Sequence, residues 1–242
     1  MILLAIVLAL APQDGAEAKT ALETYKTATA KSKDPKAHAQ AVAELAKTAH
    51  DSVAAKLGSL LTTDDKDVRI AAAAGLGTFA KPPELRASAA KHLTQALTAG
   101  ANSRLAEVRI AIFAALGALQ EDSSANAVRA SFDDRDAKIA SAAFSAAGAM
   151  KCKSMVEPLI QALRDCERTI KGGDLPFPPP VVKGKPPPPT PGKDVDKEKK
   201  DRANAVIGSV ESALATLTQQ NFKTAEEWER WWVKNRSTFT PK

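Results

Sequence analysis

One helical pattern recurs along this chain and narrows what it can fold into. It reads Asp67-Val-Arg-Ile-Ala-Ala-Ala-Ala-Gly-Leu-Gly77 and returns as Glu107-Val-Arg-Ile-Ala-Ile-Phe-Ala-Ala-Leu-Gly117. A degenerate copy is Lys138-Ile-Ala-Ser-Ala-Ala-Phe-Ser-Ala-Ala-Gly148. Alignment on Leu76 puts Leu45, Leu116, Ala147 and Leu214 at the same position. Eight residues earlier stand Ala37, Val68, Val108, Ile139 and Val206, and four earlier Ala41, Ala72, Ile112, Ala143 and Val210. Three residues later come Phe79, Leu119, Met150 and Leu217, with Thr48 the exception. These offsets fall on one side of a helix of 3.6 residues per turn, so each copy predicts a helix that buries one stripe.

The anchors are separated by 31, 40, 31 and 67 residues. Recurrence at about 30–40 residues marks a stack of helix pairs, and the longest gap is one repeat plus an insertion. A helix pair cannot bury its apolar faces alone, so stacked neighbours supply the core. Composition agrees: the chain is 44% hydrophobic but only 5% aromatic, with Ala dominant, which suits slim, closely packed helices. A sheet protein would carry more Val, Ile, Thr and Tyr.

Val156-Glu-Pro-Leu-Ile-Gln-Ala-Leu-Arg-Asp165 resembles the first helix of a HEAT repeat, with its Pro and closing Asp. Asp67-Val-Arg69 and Glu107-Val-Arg109 resemble the start of a HEAT second helix. The resemblance, to the HEAT-repeat family and its Ala-rich bacterial type, covers roughly residues 20–217. It implies an all-α, right-handed α-solenoid of about five helix pairs with a C-terminal cap helix. It specifies architecture and not activity.

The chain order then reads as follows. Residues 1–18 read as a signal peptide, the competing expectation being a buried N-terminal helix: the apolar run Ile2–Ala11, too short to span a bilayer, precedes the small-x-small site Ala16-Glu-Ala18, although no Lys or Arg precedes the run. Cleavage would remove Asp14 and Glu17, leaving 34 basic and 28 − 2 = 26 acidic residues, a net charge of +8. Export to the periplasm, cell envelope or medium is therefore expected, with no transmembrane segment after cleavage. Residues 19–167 carry the repeats, with Asp34-Pro35 starting one helix and Asp64-Asp65 and Asp133-Asp134 in turns where carboxylates cap free N–H groups. Residues 168–200 are a Pro-rich, then charged, disordered loop insertion: nine of the 15 prolines lie between Pro176 and Pro191. Residues 201–217 are the second helix of the last repeat, and 218–242 a tryptophan-rich cap helix and tail.

Candidate chemistry is sparse. His38, His50 and His92 are scattered, with no H-x-x-x-H spacing. His92, on an Ala-rich helix, is expected to be partly buried and structural. Cys152 and Cys166 bracket a helix whose ~12 residues at about 1.5 Å each hold them near 18 Å apart. A disulfide needs about 7 Å, so two free thiols are expected. No phosphate loop, nucleophile elbow or metal-type cysteine spacing occurs, so no catalytic residue, metal or cofactor is assigned. Gly75, Gly77, Gly117 and Gly148 fall late in the repeated helices and are expected to permit close helix approach or helix ending.

Two binding surfaces are candidates. In HEAT-like stacking the second helices line the concave side, and Ile70 and Ile110 lie opposite the buried stripe. With Arg69 and Arg109 flanking them, they could form an apolar strip for a partner segment; the competing expectation is that they bury within the chain, as Phe113 and Phe144 should. Trp228, Trp231 and Trp232 share one helix face: they either close the end of the stack or present an aromatic platform for a carbohydrate ring or a Pro-rich segment. The expected function is a non-catalytic protein-interaction or envelope scaffold module, monomeric, whose partner is a protein or envelope polymer. The rivals are a HEAT-like lyase, which lacks a clustered acid–base pair here, and a nucleic-acid-binding solenoid, which would need its basic residues in one groove.

Overall fold

The computed structural model describes residues 13–172 and 193–241, with side chains for 15–172 and 196–241. All regular structure among the described residues is helical. The helices pair as α1 (Gln13–Lys31) with α2 (Pro35–Leu45), and α3 (Asp51–Leu60) with α4 (Lys66–Gly77). Next come α5 (Pro83–Thr98) with α6 (Ala106–Leu119), α7 (Ala125–Arg129) with α8 (Ala137–Ala149), and α9 (Val156–Lys171) with α10 (Lys193–Thr218). The last helix is α11 (Ala225–Asn235). The chain divides into two compact units at Ala115 and Leu116, within α6.

In the first unit, first helices pack on first helices and second on second: α3 touches α1 and α5, and α2 packs on α4. This two-layer stacking is what an α-solenoid requires, because each stripe is covered by the next pair. The anchors Leu45 and Leu76 are buried, as are Val68, Ala72 and Phe79. Ala37 and Ala41, in the outermost copy, are only half-buried. The second unit repeats the scheme, with α8 against α10, α9 against α10, and α11 on α9. Its anchors Leu116, Ala147 and Leu214 are buried, with Leu119, Met150 and Leu217 beneath them.

Small residues set how closely the second helices approach. A β-carbon added to Gly75 would lie 2.6 Å from the Ala46 Cβ, and one added to Gly77 would lie 3.0 Å from the Ala115 Cα. In the second unit, one added to Gly117 would meet the Ala146 Cα at 3.3 Å, and one at Gly148 the Ala213 Cα at 2.8 Å. At each contact a glycine faces an alanine, one residue on either side of an anchor.

Side chains fix the helix starts. Asp34 accepts from the Lys36 N–H at 3.1 Å and Asp65 from Val68 at 2.9 Å, which satisfies amides that have no partner inside the helix. At α8 the capping residue is Asp136, accepting from Lys138 at 2.8 Å; Asp134 instead accepts from the Asp136 N–H at 3.0 Å in the preceding turn.

Both boundaries of the insertion need correction. The insertion assigned to 168–200 is narrower: α9 runs to Lys171 and ends at Gly172, and α10 already begins at Lys193. The run Lys193–Arg202 has no Gly or Pro, and its opposite charges recur at i, i+3 and i+4, which suits a solvated helix as well as a loop. The expected disorder of 173–192 lies outside the described residues. At the other end, the whole of the apolar run lies outside them too, whereas residues 13–18 form the first turns of α1, and Ala18 is 1% exposed.

Candidate interaction surfaces

α4 and α6 run side by side in the first unit. Their far ends meet at Gly77 and Ala115, and their near ends are joined by an ion pair between Lys66 and Glu107. Ile70 and Ile110 stand at the same offset from their anchors on these two helices, and both stay half-buried. Around them lie Ala71 and Ala111, half-buried, and Ala74 and Ala114, exposed. The result is a strip of small side chains with two isoleucines standing on it, and the exposed carboxylates Asp67 and Glu107 lie one turn before them.

Arg69 does not flank that strip, which corrects the expectation. It is 6% exposed and turned inward: Nη1 donates to Ala101 O at 2.8 Å and to Asn102 Oδ1 at 2.6 Å, and Nε donates to Thr63 O. Asn102, fully buried, in turn donates from Nδ2 to Leu61 O at 3.1 Å and Ala96 O at 2.9 Å. The cause is chemical: α3 and α5 end in carbonyls with no helical partner, and a planar fork of five donors beside an amide can serve several at once. Arg109 is half-buried. Sequence reasoning missed Asn102, since a lone Asn in a loop carries no periodic signal. A second such device was also missed in the other unit, where Arg202 donates to Phe132 O at 2.6 Å and Asp134 O at 2.7 Å.

α11 combines closure of the stack with a partly open face. Its start is a capping box, with the Glu227 N–H donating to Thr224 Oγ1 at 3.3 Å and the Thr224 N–H to Glu227 Oε2 at 3.1 Å. The Lys223 and Thr224 amides hold the Glu227 carboxyl below its usual range. Trp228 is 1% exposed and meets Phe222 edge-on at 4.9 Å. Trp231 and Trp232 remain half-buried, 6.1 Å apart, and Phe239 abuts them at 5.5 and 5.8 Å.

Two of the three histidines have structural partners. His38 Nε2 lies 2.6 Å from Ser32 O and 3.2 Å from Thr29 O, so the proton sits on that nitrogen. His50 Nδ1 accepts from the Ser52 N–H at 3.1 Å and caps α3. His92 is half-buried, and burial with Lys91 lowers its pKa. Both cysteines are free and buried; burial pushes Cys152 up to about 12 and Cys166 up to about 11. No group of metal-ligating side chains occurs among the described residues. No helix among them is long and apolar enough to cross a membrane.

Alternating layers of first and second helices define an α-helical repeat protein. Residues 22–106, from α1 into the start of α6, match the family model for HEAT repeats, and the two-layer helix stacking of that stretch agrees with the match. No curated protein matches the chain.

Proposed function

We propose that this helical-repeat scaffold is a non-catalytic, exported module that holds a protein or envelope-polymer partner. The observation that carries the reading is the pair Ile70 and Ile110. They stay half-buried while Val68, Ala72, Val108 and Ile112 of the same two helices are covered, on a strip floored by alanines. An apolar ridge on a small-residue floor suits a segment that brings its own apolar side chains. Export is supported by the run Ile2–Ala11 and the Ala16-Glu-Ala18 site. A cut after Ala18 would leave residues 19–31, or 31 − 18 = 13 residues of α1, still to cover α2.

The test is photo-crosslinking from position 71 in an envelope extract, in the parent chain and in Ile70→Asp/Ile110→Asp. The expected result is a crosslinked species that the double variant loses while its helix content is unchanged. A species that survives both substitutions would remove the strip from the reading. Mass spectrometry of the exported chain gives the processing site.

A further inference from the structure

All three tryptophans of the protein stand in one stretch of α11, and nine of its fifteen prolines stand between Pro176 and Pro191. The two features are rooted on the same helix. Gly172, at φ 68°, closes α9 in the left-handed conformation, and the chain passes there into residues 173–192, returning at Lys193. α11 is fastened to that same part of α9: Glu167 Oε1 accepts from the Ala225 N–H at 2.9 Å, and Arg164 pairs with Glu229. Fully extended, twenty residues could span about 70 Å, and α11 is only about 16 Å long, so reach is no obstacle.

The chemistry of the two is complementary. Trp231 and Trp232 lie at 30° to each other and stay half-buried, with Phe239 edge-on to both. The neighbouring Trp228 indole, 6.1 Å from Trp231, has a buried Nε1 with no hydrogen-bond partner among the described residues. Indoles only donate. A proline tract offers carbonyl acceptors and no N–H of its own, and its rings pack on aromatic faces. We propose that the face of α11 formed by Trp231, Trp232 and Phe239, beside the Trp228 indole, is the docking site of this chain's own segment Pro176–Pro191. It does not rest on the strip at Ile70 and Ile110, and either can fail alone.

The test uses the full chain and a variant in which residues 176–191 are replaced by a Gly/Ser stretch of equal length. Circular dichroism checks that both fold. Because Trp228, Trp231 and Trp232 are the only indoles, acrylamide quenching of tryptophan emission reports on this face alone. The replaced chain should quench about twice as strongly, and a synthetic peptide of residues 174–192 should restore the protection. The parent chain should bind that peptide at least tenfold more weakly, because a tethered segment competes at an effective concentration on the order of 1 mM. Trp232→Ala in the replaced chain should weaken the peptide about tenfold. Equal quenching of the two chains would overturn the proposal, as would equal affinity for the peptide. Protection that grows with protein concentration would assign the face to a second copy and overturn it too.

Discussion

Gly148 and Ala213 lie so close that a β-carbon on the glycine would fall 2.8 Å from the Ala213 Cα and 2.9 Å from its carbonyl oxygen. Both obstacles are backbone, so neither can swing aside. Gly148→Ala should therefore cost about 2 kcal/mol, an overpacking term of ~1–3 kcal/mol or more, partly offset by the better helix propensity of alanine. Gly208 in α10 is the control, with nothing within 4 Å of its added carbon. Gly208→Ala should stabilise by roughly 0.5–1 kcal/mol. Urea midpoints of the two variants, moving in opposite directions, check the argument.

Asn102 is the next test. It is fully buried, and its removal takes the side-chain donor from Leu61 O and one partner each from Ala96 O, which keeps the Ala99 N–H at 3.3 Å, and from Arg69 Nη1, which keeps Ala101 O at 2.8 Å. Asn102→Ala should cost about 2–4 kcal/mol, since each buried polar group left unpaired costs ~1–3 kcal/mol. Arg69→Met should cost a similar amount, and the double variant less than the sum, because both act on one network. Additive losses in a double-mutant cycle would show that the two side chains work separately.

The repeat architecture was legible because it is written in a period. Leu76, Leu116 and Leu214 recur with their Val, Ala and Leu companions, and every one of these anchors is buried. The glycines after the anchors signalled close approach for the same reason. Arg69 was misplaced because helical position alone put it beside Ile70, whereas a long side chain follows its hydrogen-bond partners. Those partners, Thr63 O, Ala101 O and Asn102, lie in loops with no periodic signature. The start of α10 was read as loop because a mixed-charge run is equally polar in either state; its i, i+4 charge spacing was the available clue.

The two cysteines should be silent in the folded protein. Burial holds Cys152 at about 12 and Cys166 at about 11, so neither forms appreciable thiolate at neutral pH, and both are sterically covered. A disulfide-exchange reagent such as dithionitrobenzoate should find no reactive thiol in the native chain and two after denaturation. Rapid modification of either in the native state would mean that α9 or the turn before it opens freely.

The capping box of α11 makes the aromatic end sensitive to acid. The Lys223 and Thr224 N–H groups donate to the ionised Glu227 carboxylate and hold its folded pKa below the 4.5 of the free group. A carboxyl with a depressed folded pKa stabilises the fold above its unfolded value, and that support is lost as pH falls through the lower, folded one. Glu227→Gln removes the charge and with it the pH dependence, while keeping a side-chain oxygen that can still accept. Thr224→Ala removes the other half of the box and should cost about 1 kcal/mol at any pH. With all three indoles on α11, tryptophan emission followed from pH 6 down to 3 reads the effect directly. The parent chain should shift to the red below pH 4.5 and Glu227→Gln should shift less over that interval; superimposable titrations would show that the box does not hold α11 in place.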